Sequence, residues 1–268
     1  MSVLADILAS KRGEIAALRA RPRQRSVRTP LDMAGALRRE GGPLRLIAEV
    51  KLRSPSGGAF SRALGPDERA LAYAEGGAAV VSVLCDGPFF DGSWDHLAAA
   101  RARLDAAGLA VPLLAKEFVL DERQIAEARD RGADAVLLIA RILDAGRLRD
   151  LTQAARDEGL EPLLEVVDET ELAAALAAGG RVVGVNARDL DSLAMDAARA
   201  ARVLDAIPAG IVAVHLSGLR TPDDVAQVAR GRADAALVGE ALMRQDDPRE
   251  TLGAMVRASL GGAGFPDG

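Results

Sequence analysis

Aromatic side chains are scarce in this chain: one Trp, one Tyr and five Phe among 268 residues. Any large core must therefore be filled by Ala, Leu and Val, and hydrophobic residues still supply 49% of the sequence. Cysteine is scarcer. Cys85 stands alone, which excludes an intrachain disulfide and fits a reducing cytosol, so a cytoplasmic location is expected. No activating partner lies near Cys85 in sequence, so it reads as a small buried side chain. No His, Cys and carboxylate spacing suits a metal, and His96, after Trp94-Asp95 in a helical pattern, reads as structural. No run of about 18 apolar residues is present to span a membrane, and the first 26 residues lack the apolar stretch and cleavage site of a signal peptide. A phosphate-binding P-loop, a nucleophile elbow and a dinucleotide fingerprint are all missing. The formal charge of −5 argues against nucleic acid as a partner while allowing a local basic pocket for a phosphate.

What is present is repetition. Val3, Leu4, Ile7, Leu8, Ile15 and Leu18 recur at helical spacing and predict an amphipathic helix that covers a domain. Thereafter short apolar runs alternate with Ala/Arg/Asp/Glu/Leu-rich helical stretches. The runs are Leu46–Lys51, Ala78–Cys85, Pro112–Phe118, Ala135–Arg141, Pro162–Val167, Val182–Arg188, Ile211–Ser217 and Ala235–Glu240. Each lacks the alternation of a one-sided antiparallel sheet, and strand starts recur about every 20–35 residues. Glycines before the strands, as in Gly179-Gly180, read as helix stops. Eight such units predict an α/β fold: a (β/α)8 TIM barrel with an N-terminal helical extension, divided as 1–45 extension, 46–260 barrel and 261–268 flexible tail. An open doubly wound sheet is the alternative; it usually has fewer strands and a glycine-rich turn after the first.

In a barrel, chemistry is sought at the C-terminal ends of the strands. Glu49 and Lys51 fall on one face of the first strand and run into the Ser54-Pro55-Ser56 turn; two buried charges there must be paired or used. A surface strand with a salt bridge and an ordinary loop is the bland alternative. Lys116 follows an apolar run, and burial is expected to lower its pKa and suit it to general-acid work. Glu165 has the same apolar approach, which would raise its pKa toward that of a useful base. Arg141 and Asn186 end further strands. Ser217-Gly218 and Gly239-Glu240 end strands seven and eight, where many barrels offer backbone N–H groups to a phosphate.

These motifs occur in a familiar order. IAEVK and SPSGG within 47–58, SVLCD at 82–86, FFDGS at 89–93, KEFVLD at 116–121, LLEV at 163–166, VGVNARDL at 183–190, SGL at 217–219 and VGEALMRQDDP at 238–248 together resemble the indole-3-glycerol phosphate synthase family. The resemblance runs from about Leu46 to Pro248, and the N-terminal extension matches too. It implies a cofactor-free carbon–carbon lyase of tryptophan biosynthesis. Such an enzyme cyclises 1-(2-carboxyphenylamino)-1-deoxyribulose 5-phosphate onto its own ring with loss of carbon dioxide and water. By that resemblance Lys116 protonates the carbonyl or leaving hydroxyl, and Glu165 is the base of dehydration. Lys51 binds substrate and assists as a second acid, while Glu49 and Asn186 orient the lysines and hydroxyls. Ser54, Ser217, Gly218, Gly239 and Glu240 surround the phosphate, the last two mainly through backbone N–H, with Ser54–Ser56 as the rim of the substrate site; Pro55, Phe90 and Phe118 pack on the anthranilate ring; Arg188 lies near the site. A monomer or weak homodimer, without nucleic-acid or membrane partners, is expected.

The chain departs from the family pattern at Leu216, where Glu precedes Ser-Gly in the family. Val167, Ala187, Leu52 and Gly57 also replace common polar or basic residues. Three readings follow: an active synthase, a paralogue with an altered substrate in a secondary pathway, or a non-catalytic phosphate-ligand binder. Retention of Glu49, Lys51, Lys116, Glu165 and Asn186 together favours an enzyme, because such charges are costly to bury without a use. A different phosphate-binding barrel, such as a sugar isomerase, would place its acid and base elsewhere.

Overall fold

A computed structural model of the protein describes residues 3–20, 22–55, 57–188 and 194–260. Ser56, the Asp189-Leu190 end of VGVNARDL and the 261–268 tail lie outside them. Eight parallel strands close into a barrel: β1 (Arg45–Val50), β2 (Val80–Leu84), β3 (Leu113–Lys116), β4 (Ala135–Ile139), β5 (Glu161–Val166), β6 (Val182–Val185), β7 (Val212–His215) and β8 (Ala235–Val238). Each pairs with its neighbour in sequence, and β1 closes on β8 with Arg45 opposite Ala235 and Ile47 opposite Leu237. The expected (β/α)8 architecture is thus the observed one.

Strand alternation divides the apolar residues into two layers. Ile47, Val80, Leu114, Leu137, Leu163, Val182, Val214 and Leu237 fill the barrel interior. Ala48, Val81, Ala115, Val136, Leu164, Val183, Ala213 and Ala236 face outward beneath the helices. Small outward residues let helices approach closely, which is how a chain poor in aromatics packs two layers. Helix starts are fixed by side-chain caps: Ser93, Asp121, Asp144, Asp168, Asp196 and Thr221 each accept a hydrogen bond from a first-turn N–H. Gly132 and Gly179 follow helices with φ of 89° and 83°, the left-handed stop expected of them.

Several strands end earlier than the apolar runs suggest. Ala140–Ile142 is a 3₁₀ turn rather than the end of β4, and Glu240 opens a short helix, Glu240–Met243. Ladder-like bonds nonetheless continue past the ends, from Asn186 N to Val166 O at 2.9 Å and from Leu216 N to Val185 O at 3.0 Å. These residues keep the facing of their strands while the backbone departs into loops.

The N-terminal segment closes both ends of the barrel. Helix α1 (Val3–Ala20) brings Leu4 and Ile7 into the same apolar cluster as the interior, at the strand C-terminal ends. Helix α2 (Met33–Leu37) buries Met33 and Leu37 against β1 and β2. The connection between them is tied along the outside by Arg23 to Asp130 and Glu158, at 2.8 and 2.6 Å, and by Arg28 to Asp134. Among the described residues no helix is long and apolar enough to cross a membrane.

Asp134, fully buried before β4, is the anchor of this strap. Its two carboxylate oxygens accept from Leu31 N and Leu113 N, both at 2.7 Å, and it also pairs with Arg28. Removing it strands the buried Leu113 N–H, the half-buried Leu31 N–H and an arginine. Asp134→Ala is expected to cost about 3–5 kcal/mol of stability, read as a lowered urea midpoint at unchanged slope.

Candidate active site

The inward positions just beyond the apolar layer carry charge. Glu49 and Lys51 continue the Ile47 face of β1, Lys116 continues the Leu114 face of β3, and Glu165 continues the Leu163 face of β5. Lys51 Nζ donates to Glu49 Oε1 at 2.8 Å, and the Ser82 hydroxyl approaches Glu49 Oε2 at 3.5 Å. Across the cleft, Lys116 Nζ lies 3.6 Å from Glu165 Oε2. Asn186 Nδ2 donates to Glu165 Oε1 at 2.9 Å, while Asn186 Oδ1 accepts from the Ser217 hydroxyl at 2.7 Å and from Arg188 N at 3.0 Å. The relay Ser217–Asn186–Glu165 fixes one carboxylate oxygen. The other, Oε2, is buried without a hydrogen-bond partner and faces the lysine.

The electrostatics correct one expectation. Burial alone pulls the Lys116 pKa down, but the carboxylates of Glu165 and Glu49 outweigh it, and the net direction is up. Apolar approach in sequence signals burial; it does not reveal two carboxylates from other strands. Lys116 is therefore held as a cation. Burial pushes Glu49 up, but Lys51 and Lys116 overcome it and hold the carboxyl below its ordinary value.

Around these charges the cleft is mostly apolar. Phe90 and Phe118 form one wall, ring centroids 6.0 Å apart and planes inclined by 34°, with Pro55 and Leu84 beside them. Leu137, Ile139, Leu216 and Leu237 make the floor. Leu216 is buried directly over Gly184: a Cβ there would come within 2.5 Å of Leu216 Cδ1. Ser54, Ser217, Gly218, Gly239, Glu240 and Arg188 also line the cleft. Gly239 lies so close to the β1 ion pair that a Cβ would sit 2.9 Å from Glu49 Oε1, and Gly218 takes a φ of 97°. The Glu240 carboxylate turns away to Arg244 at 2.6 Å. Every described residue of the expected set thus lines one cleft, with Ser56 outside the described residues. Arg141 does not line it: the 3₁₀ turn directs its Nε to Glu171 at 2.7 Å.

Sequence reasoning missed Val3, Leu4 and Ile7 of α1, together with Glu117 and Arg220, all of which line the cleft. The amphipathic pattern of α1 signalled a buried face but not where that face docks. Among the described residues no group of three or more His, Cys, Asp and Glu side chains is placed to hold a metal ion.

Fold and cleft together define a closed (β/α)8 barrel with paired acidic and basic side chains at its strand C-terminal ends. A family model described as indole-3-glycerol phosphate synthase matches residues 4–255. A Chlorobium phaeovibrioides indole-3-glycerol phosphate synthase is 43% identical over 256 residues, covering 93% of this chain and 97% of the relative. The Streptomyces coelicolor indole-3-glycerol phosphate synthase 1 is 42% identical over 265 residues, covering 96% of each. A solved 3-hexulose-6-phosphate synthase shares the fold at a TM-score of 0.64 and 17% identity, over 80% of this chain and 99% of that one. The chain belongs to the indole-3-glycerol phosphate synthase family.

Glu117, next to Lys116, provides a pH test. Burial pushes its carboxyl up to about 7, against the opposing pull of Lys11 and the Phe118 N–H. A raised folded-state pKa contributes stability that is complete below the ordinary value near 4.5 and lost as pH rises through about 7. Relative to Glu117→Gln, the natural protein should therefore lose unfolding free energy between pH 5 and pH 8, measured in paired urea titrations.

Proposed function

We propose that the chain is an indole-3-glycerol phosphate synthase: a carbon–carbon lyase that closes the ring of 1-(2-carboxyphenylamino)-1-deoxyribulose 5-phosphate, then releases carbon dioxide and water. The observation that carries this reading is the Lys116–Glu165 pair, an ammonium 3.6 Å from a carboxylate oxygen that has no hydrogen bond, enclosed by apolar walls. In this reading the ring carbon bearing the carboxylate attacks the sugar carbonyl while Lys116 gives that oxygen a proton and stabilises the charge building on it. The new carbon–carbon bond interrupts aromaticity. Loss of carbon dioxide leaves its bonding electrons in the ring and restores it. The hydroxyl formed from the carbonyl then departs as water after protonation by Lys51, the second acid, and Glu165 Oε2 takes the proton released from the forming pyrrole ring and can return it to Lys116 3.6 Å away.

Binding divides between two ends of the cleft. Phe90, Phe118 and Pro55 would hold the anthranilate ring, and Ser54, Ser217 and the backbone N–H groups of Gly218, Gly239 and Glu240 the phosphate. Holding both ends of one flexible molecule brings the ring over the carbonyl, which is a large share of what a cyclising enzyme supplies. Arg188 adds positive charge at the rim, and Asn186 keeps Glu165 aimed.

A second reading, the same chemistry on an altered substrate, is favoured by Leu216, which makes the floor apolar beside Gly184. The two readings separate on one assay. Pure protein given the substrate should develop indole absorbance, and Lys116→Ala should lower kcat by about 10²–10⁴-fold while inhibition by inorganic phosphate persists. No absorbance change with the natural protein, alongside retained phosphate binding, removes the synthase reading. Leu216→Glu then discriminates further: a gain in rate marks an acidic floor as the better fit for this substrate, and a loss marks the apolar floor as matched to it.

A further inference from the structure

The buried face of α1 contains one residue that does not belong in an apolar stripe. Leu4, Ile7, Lys11 and Leu18 share that face, and Lys11 is 0% exposed. A buried ammonium needs anions, and three surround it: Asp86 at 2.6 Å, Glu14 of the same helix at 2.7 Å and Glu117 at 3.0 Å. Asp86 and Glu117 are themselves 0% and 2% exposed. Glu14 is the only one of the three that reaches solvent, so Lys11 is the cation on which two buried carboxylates depend.

Each of those carboxylates also holds backbone at the ring end of the cleft. Asp86 accepts from Phe89 N at 2.9 Å and so caps the short helix Gly87–Phe90, which ends on Phe90. Glu117 lies between Lys116 and Phe118 in the chain and accepts from Phe118 N at 2.7 Å. Leu4 and Ile7, two turns and one turn before Lys11 on the same stripe, line the cleft. One ammonium therefore joins three walls: the α1 cover, the Phe90 helix and the Lys116–Phe118 strand end.

We propose that Lys11 is a positioning residue, which latches α1 over the ring end of the cleft and sets the spacing of Phe90 and Phe118 through Asp86 and Glu117. The proposal rests on the synthase reading for the identity of the ring, but the latch itself is geometric. It predicts an uneven loss. Releasing the latch loosens the ring end and leaves the phosphate end, across the barrel at Ser217 and Gly239, as it was.

The test uses the full chain with Lys11→Met, which keeps the length of the stem and removes the charge. The probe is the substrate with its carbonyl reduced to a hydroxyl, which retains the fluorescent anthranilate and cannot cyclise. Expected results are a red shift of bound-probe emission, as water reaches the ring, and a KM for substrate raised by about tenfold or more with a smaller fall in kcat. The inhibition constant of inorganic phosphate should stay unchanged. A double variant, Lys11→Met with Glu117→Gln, relieves one unpaired carboxylate; it should regain melting temperature without regaining ring-end affinity, and it serves if the single variant does not fold. Natural emission and KM in either folded variant overturn the latch, as does a parallel loss of phosphate binding, which marks general damage to the barrel. Absence of turnover in the natural protein counts against the synthase reading alone, because probe emission still reports the latch.

Discussion

The structure depends on one constraint: charge facing into a closed barrel must be neutralised inside it. Strand alternation forces Glu49, Lys51, Lys116 and Glu165 to the same side as Ile47, Leu114 and Leu163, and the apolar layer beneath them offers no compensation. Glu49 and Lys51 pair along the first strand, while Lys116 and Glu165 pair between strands. The result is a cation, Lys116, made more basic by its surroundings rather than less. Pairing also leaves a particular vacancy in the hydrogen bonding, since Asn186 occupies one oxygen of Glu165 and leaves the other to face the cleft. The proposed chemistry thus rests on the same four side chains that neutralise one another.

The architecture was legible in the sequence because its signal is repeated: eight apolar runs with helical spacers between them, and glycines where helices stop. The face shared by Glu49 and Lys51 was legible for the same reason, a period of two along a strand. Other features were hidden because they are relations between distant segments. The upward direction of the Lys116 pKa needs Glu165 and Glu49, from β5 and β1, to be brought within reach. The turn of Arg141 toward Glu171 depends on a 3₁₀ turn that the apolar run did not signal. Most of all, the apolar spacing of α1 gives no sign of what Lys11 meets. Its meaning lies in Asp86 and Glu117, which follow it by a long stretch of chain.

Leu216 shows how an apolar residue is accommodated beside such charges. Its isobutyl group occupies the volume left by the missing side chain of Gly184, and neighbouring Leu237 and Ile139 extend the same apolar surface. The two lysines of the cleft already have two carboxylates, so the floor carries no unmet charge. An apolar floor is therefore compatible with the ion pairs as they stand, and it changes what the cleft presents to a ligand without disturbing how the cleft is held together.

The strap also sets an order of events. Helix α1 and the segment after it are made before any barrel strand, yet their partners come far later: Arg19 bonds Asp121 across 102 positions, and Arg23 bonds Glu158 across 135. A segment that precedes the barrel in the chain is thus among the last that can dock. Until the chain has passed Asp86 and Glu117, the lysine within α1 lacks its two buried counterparts, and closing so long a loop is slow. The cover of the cleft is in this sense a record of completion, added only to a barrel whose central strands are already in place.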